Sequence, residues 1–163
     1  MRLNRLFGAV TGFMAILVLA VPVWADAFDD AFNKYNSGAF GAALTLLTPL
    51  AEDDDIRAQY LLGRIYSEGE GVAKNDKEGA KWYRLAADRG DIVSQLALGS
   101  MYVNGRGVER NFVRAYSWLT IVSKNGNRDM TNQALEVRDL IEQLMSLQQI
   151  KQAESFAAAW KQK

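Results

Sequence analysis

Two groups of carboxylates and two glycine corners are the residues of this chain whose types and spacing could do chemistry. Glu52, Asp53, Asp54 and Asp55 stand in one run, and Glu68 and Glu70 bracket the first glycine of YSEGEGV, residues 66–72. Carboxylates so placed could hold a hard cation through oxygen or divide general acid and base work between them. A glycosidase pair, however, needs a substrate cleft and a separation of about 5 to 9 Å, which neighbours in one loop do not prescribe. The EDDD run therefore reads as a solvated loop before a helix, with Asp55 as the candidate cap.

The corners YSEGEGV and YVNGRGV, the latter at residues 102–108, invite a phosphate-cradling reading of Gly69, Gly71, Gly105 and Gly107. A dinucleotide loop needs a buried strand before it and a long helix after it, and a Walker loop needs Gly-Lys followed by Ser or Thr. Both corners instead follow a helical pattern and contain neither signature. They read as tight interhelical turns, where a positive φ or a close approach excludes a Cβ.

Histidine and cysteine are both absent. Imidazole-based triads and thiolate or imidazole metal sites fall away with them, as do disulfides. The expectation is a chain with no catalytic residues, no metal and no cofactor. Its 19 Lys and Arg balance 19 Asp and Glu, unlike the strongly basic footprint of a nucleic-acid binder.

The elements that carry these residues repeat. Setting 59–90 against 95–126 aligns Gln59 with Gln95, Leu62-Gly63 with Leu98-Gly99, Tyr66 with Tyr102, Gly71-Val72 with Gly107-Val108, Asn75 with Asn111, Trp82 with Trp118 and Gly90 with Gly126. An offset of 36 residues lies in the range of helical-pair solenoids. Leu61, Leu62, Ile65 and Tyr66 recur at helical steps before the corner, as do Leu98, Met101 and Tyr102. A second helix follows each corner, capped at Asn75 or Asp76 in one copy and Asn111 in the other, and stopped by Gly90 or Gly126. Gly63 and Gly99 each cost about 1 kcal/mol against alanine inside a helix, a cost that close helix approach would explain. Trp82, Trp118, Tyr66 and Tyr102 could stack on sugars, but their fixed offset assigns them to equivalent gaps in the core.

Upstream, Phe28, Ala31, Phe32 and Tyr35 form one stripe and Ala42, Ala43, Leu46, Leu47 and Leu50 another, with a turn at Ser37-Gly38 and Pro49 expected to end or bend the second helix near Thr48. Downstream, 129–162 has neither glycine nor proline and reads as two helices broken near Ser146. Leu140, Leu144, Leu147 and Ile150 decide their role: turned inward they cap the stack of a monomer, and left exposed they mark a dimer or partner surface.

At the start, Arg2 and Arg5 precede the uncharged residues 6–25. The densest apolar part, 13–21, is short for a bilayer crossing of about 20 residues and suits a secretory signal. Cleavage is expected after Ala25, placing residues 26–163 in the periplasm or secreted. The alternative is an uncleaved anchor, which leaves the domain on the same side.

LLGRIYSEGEGVAKNDKEGAKWYRLAADRGD, through Leu62-Gly63, Tyr66, Gly69, Gly71-Val72, Asp76, Trp82-Tyr83, Ala86-Ala87 and Gly90, resembles a Sel1-like repeat, a relative of the tetratricopeptide repeat (TPR) with a longer interhelical loop. The second copy keeps Leu98-Gly99, Tyr102, Gly105, Gly107-Val108, Ala115, Trp118 and Gly126. It has Phe112 for the aspartate, Leu119 for the tyrosine and Val122-Ser123 for the paired alanines, while the first has Gly79 for an alanine. The resemblance implies an all-α, α/α superhelical solenoid: a signal at 1–25, a TPR-like hairpin at 26–56, repeats at 57–92 and 93–127, and capping helices at 128–163.

The resemblance also implies a non-catalytic scaffold or regulatory adaptor that binds a protein or peptide. One cysteine-rich branch is linked to β-lactam binding or hydrolysis, and the lack of cysteine argues against it here. A solenoid lines its concave face with the first helix of each pair. Tyr60, Arg64 and Ser67, then Ser100, Val103 and Asn104, are the expected groove contacts. The alternatives are an envelope hydrolase or a peptidoglycan or small-ligand binder, and a structural subunit of an envelope assembly. A monomer is expected, with a homodimer as the alternative.

Overall fold

The computed structural model describes residues 23–162, which form eight α-helices and, among the described residues, no strand. They are α1 (Val23–Asn36), α2 (Phe40–Glu52), α3 (Ile56–Glu68), α4 (Asp76–Asp88), α5 (Ile92–Asn104), α6 (Phe112–Asn125), α7 (Arg128–Glu142) and α8 (Leu147–Ala159). The expected signal lies outside the described residues, save that α1 opens at Val23. The chain is an all-α solenoid of helical hairpins. Each helix packs on the next in order through α7, α3 also touches α5 and α5 touches α7, and α8 folds back onto α6.

Short polar side chains start these helices where the sequence places them. Asp55 accepts from the backbone N–H of Arg57 and Ala58 at the start of α3, and Asp91 accepts from Ser94 at the start of α5. Asn75 and Asn111 cap α4 and α6 by accepting from Glu78 and Arg114. Ser146 opens α8 with a reciprocal capping box to Gln149, which satisfies two helix-end donors at once. First helices are thus capped by aspartate and second helices by asparagine, in both copies.

Within a unit, missing Cβ atoms set the helix spacing. A Cβ on Gly63 would stand 2.6 Å from the Tyr83 ring, and one on Gly79 would overlap the Ser67 hydroxyl. In the second copy a Cβ on Gly99 would lie 3.2 Å from Leu119. Around these contacts Leu62, Ile65, Leu98, Leu119 and Val122 lose all or nearly all contact with water, each such side chain contributing about 1.5 to 3 kcal/mol. Trp82, Trp118 and Tyr102 are buried with them.

Between units, the second glycine of each corner sits on the preceding second helix. Gly71 (φ 73°) is placed so that a Cβ would come within 2.5 Å of Phe40, and Gly107 (φ 65°) so that one would overlap the backbone carbonyl of Asp76. Phe40 and Asp76 are the first residues of α2 and α4. The residue between the glycines also reaches back. Glu70 accepts from the Tyr35 hydroxyl at 2.6 Å, and Arg106 pairs with Asp76 at 2.9 Å.

Two expectations need correction. Pro49 neither ends nor visibly interrupts α2, which runs on to Glu52. Its missing N–H removes one bond in the last turn, but Leu50 and Ala51 beyond it are buried and the Pro49 carbonyl still accepts from Asp53. The C-terminal helices cap α6 with Ala134, Ile141, Ala153 and Ala157, and Ile150 of the four expected residues packs partly buried beside them, whereas Leu140, Leu144 and Leu147 do not turn inward and stand 62%, 67% and 67% exposed. Leu140 lies in the last turn of α7, Leu144 in the connection and Leu147 at the start of α8, so all three gather at the exposed α7–α8 corner.

Candidate partner-binding surface

Three of the six clustered acids, Asp54, Asp55 and Glu70, are taken up by the scaffold, and Glu52, Asp53 and Glu68 are exposed. Burial pushes the Asp55 carboxyl up, but the Arg57 side chain and the N–H groups of Ala58 and Arg57 outweigh it and hold the group below the usual carboxylate range. Asp54, in the left-handed region at φ 72°, pairs with Arg89 at 2.5 Å. Glu70 is held between Tyr35 and, at 3.8 Å, Arg64. Burial first, and then the bond to Glu70, raises the Tyr35 phenol above its ordinary value. Among the described residues no group of three or more His, Cys, Asp or Glu is placed to hold a metal ion.

The six expected groove residues divide. Tyr60 is half-buried on α3, its ring 6.2 Å from that of Tyr83, and Arg64 is exposed with its guanidinium 5.4 Å above the Tyr35 ring. Burial opposes the charge of Arg64, but Tyr35 and Glu70 outweigh it and raise its pKa. On α5, Ser100 and Asn104 are exposed and joined by an Asn104 Nδ2 bond to the Ser100 carbonyl at 2.9 Å, and Val103 is half-buried. Ser67 is not a surface residue. It is 2% exposed because α4 closes on it at Gly79.

Val103, the counterpart of Ser67, faces a helix that carries Ala115 where α4 carries Gly79. The extra methyl accompanies its partial exposure.

Between α5 and α7 the first-helix side opens into a groove of about 290 Å³, lined by Val93, Leu96, Ala97 and Ser100 of α5 and Gln133 and Val137 of α7, with Leu119 beneath. Only Ser100 among these was expected. Yet Val93, Leu96, Ala97 and Ser100 recur at i, i+3, i+4 and i+7, a helical face readable in the sequence. In the sequence this face is masked by a second apolar face of α5, Leu98, Met101 and Tyr102, that is buried in the core. The groove offers apolar contact with polar edges and no cluster of groups suited to bond making.

The Sel1 repeat model matches residues 56–91 and 92–127. Among solved structures, the chain is similar to a protective antigen present in uropathogenic Escherichia coli strains that displays an SLR fold, with a TM-score of 0.75 and 28% identity over 84% of this chain and 29% of that one. It is also similar to a Sel1 repeat protein from Oxalobacter formigenes, with a TM-score of 0.62 and 29% identity over 69% of this chain and 88% of that one. This chain thus spans under a third of the antigen's length and most of the second protein's. No curated protein matches the sequence. Residues 56–127 are thus two Sel1 repeats, stacked as hairpins on a shared corner geometry within an all-α solenoid of Sel1/TPR-like hairpins.

Proposed function

We propose that this chain is a non-catalytic interaction scaffold of the cell envelope that holds a protein or peptide segment along its first helices. One observation carries the reading: the groove between α5 and α7 leaves Val93, Leu96, Ala97 and Val137 at least partly open to solvent on the side where first helices adjoin. Half-buried Tyr60 and exposed Arg64 extend the same side onto α3, and tyrosine and arginine are residue types on which interface energy concentrates. The envelope location rests on Arg2, Arg5 and the apolar residues 13–21, read as an export signal with cleavage after Ala25.

Crosslinking of the full chain in native cell envelopes, with mass spectrometry mapping the joined residues, tests this. One reproducible protein joined through α3, α5 or α7 supports the groove. Crosslinks confined to second helices, or none from a folded protein, overturn it.

A second reading, self-association through the C-terminal pair, is favoured by the exposure of Leu140, Leu144 and Leu147. Light scattering at several concentrations decides it. A mass that stays at one chain throughout rejects the reading.

A further inference from the structure

The second glycine corner encloses a basic pocket that the first corner lacks. Tyr102 is buried, and its hydroxyl accepts from Arg84 Nη2 at 2.6 Å and from Arg114 Nη1 at 3.0 Å. The two guanidiniums also lie 5.9 and 5.6 Å from the Tyr102 ring centre. With Val108, Glu109 and Asn111 they border a cavity of about 350 Å³, which shares no residue with the α5–α7 groove.

Stacking of the repeats does not require this arrangement. Tyr66 holds the equivalent place in the first corner, where Thr48 and Glu78 stand at the positions of Arg84 and Arg114. The arginines are therefore an addition to one copy, and they have a cost. Two like charges gathered at one neutral oxygen repel each other, and an exposed phenol-guanidinium bond offsets little of that.

At Tyr102 and the two arginines the open capacity is all donor. A phenol that accepts twice still has a proton to give, and no acceptor takes it among the described residues. Each guanidinium has five N–H groups in a planar fork that matches an oxyanion. Glu109, the acid in the lining, is exposed and forms no ion pair with either arginine among the described residues. Two guanidiniums against one carboxylate leave a single positive charge, which suits a carboxylate better than a doubly charged phosphate.

The neighbouring surface adds a second requirement. Asn111 and Arg114 also border a cleft between α6 and α8 lined by Val113, Ser117, Gln152 and Phe156, and Phe156 is 50% exposed. An anion at the arginines thus has an apolar wall beside it. We propose that Arg84, Tyr102 and Arg114 bind a peptide carboxylate whose adjacent apolar side chain lies against Val113 and Phe156. This goes beyond the groove reading and stands or falls separately from it.

The test is titration of the full chain, followed by NMR of arginine Nε–Hε groups, with N-acetylphenylalanine, N-acetylphenylalaninamide, N-acetyl-Phe-Glu-amide and inorganic phosphate. The expected result is saturable shifts of Arg84 and Arg114 with at least one of the two carboxylate compounds, about tenfold tighter than with the neutral amide, a gap of about 1.4 kcal/mol. Which of the two binds more tightly assigns the carboxylate to a chain terminus or to an acidic side chain. Arg84→Gln and Arg114→Gln each abolish the preference for acid over amide, and Phe156→Ala weakens N-acetylphenylalanine while leaving the shifts from acetate, titrated alongside as a carboxylate without a side chain, unchanged. Equal binding of acid and amide, tighter binding of phosphate than of either carboxylate, or no shift at all overturns the proposal. The wild-type comparison decides it even if a variant fails to fold.

Discussion

The side-chain amide of Gln95 donates to the carbonyl oxygen of Ala87 at 3.0 Å, with both residues fully buried where the second unit meets the first. Gln59 makes the same bond to Ala51 at the same distance, at the preceding joint. In each case an amide from a first helix reaches a carbonyl in the last turn of the previous second helix, where the helix itself leaves carbonyls short of partners. Gln95→Ala should lower the unfolding free energy by about 1 kcal/mol, the usual net worth of one hydrogen bond, because the Ala87 carbonyl keeps its bond from the Gly90 N–H. Urea denaturation should show a lower midpoint with an unchanged slope, and Gln59→Ala should behave alike.

Asp55 caps α3 and pairs with Arg57 at 2.8 Å. Asp55→Ala should cost about 1 kcal/mol, as the loss of a helix cap does. The folded carboxyl titrates below its ordinary value, so its contribution is fully present above the unfolded value of about 3.9 and disappears as pH falls through the folded one. Melting temperatures of wild type and Asp55→Asn should therefore differ at neutral pH and converge in acid below pH ~4. A gap that stays constant with pH would contradict the assignment.

Gly107 and Gly38 both have positive φ, but only Gly107 has backbone where a Cβ would go, whereas nothing stands within 4 Å of the Gly38 position. Gly38→Ala should cost only the left-handed conformation, about 1 to 2 kcal/mol. Gly107→Ala should cost clearly more, because the corner must lift off Asp76. Paired denaturation curves check the order.

Tyr60→Ala with Arg64→Ala should weaken a groove partner at least tenfold, about 1.4 kcal/mol, measured by calorimetry on the partner found by crosslinking. The Arg64 pair with Glu70 is 3.8 Å long and its arginine exposed, so losing it should change stability little, whereas Tyr60 packs on the Tyr83 ring and its truncation should lower stability by about 1 kcal/mol. Unaltered affinity in a folded double variant would remove α3 from the groove.

The repeat was legible because stacking constrains the same atoms twice. Gly63 and Gly99, Asn75 and Asn111, and Trp82 and Trp118 each do one job at two places, and each was recognisable from the 36-residue offset. At Pro49 local propensity favours a helix end, while burial of Leu50 and Ala51 in the core carries α2 on to Glu52. Ser67 shared a helical face with Tyr60 and Arg64, but its burial depends on α4, and the cue was the single missing methyl of Gly79. The arginine pocket left no pattern along the chain. Arg84 and Arg114 come from two different units, and only the folded joint brings both to Tyr102.

The contact between the second corner glycine and the start of the previous second helix is made largely by main chain: Gly107 meets the carbonyl of Asp76 itself. Such a seat asks little of the side chains around it, so the joint between residues 91 and 92 is a natural splice site. A further 36-residue cassette inserted there would find the same seat below it and present the same seat above, lengthening the molecule by one step while both ends stay sealed. Lineages that gain or lose such a cassette would change the reach of the protein without having to invent a new interface.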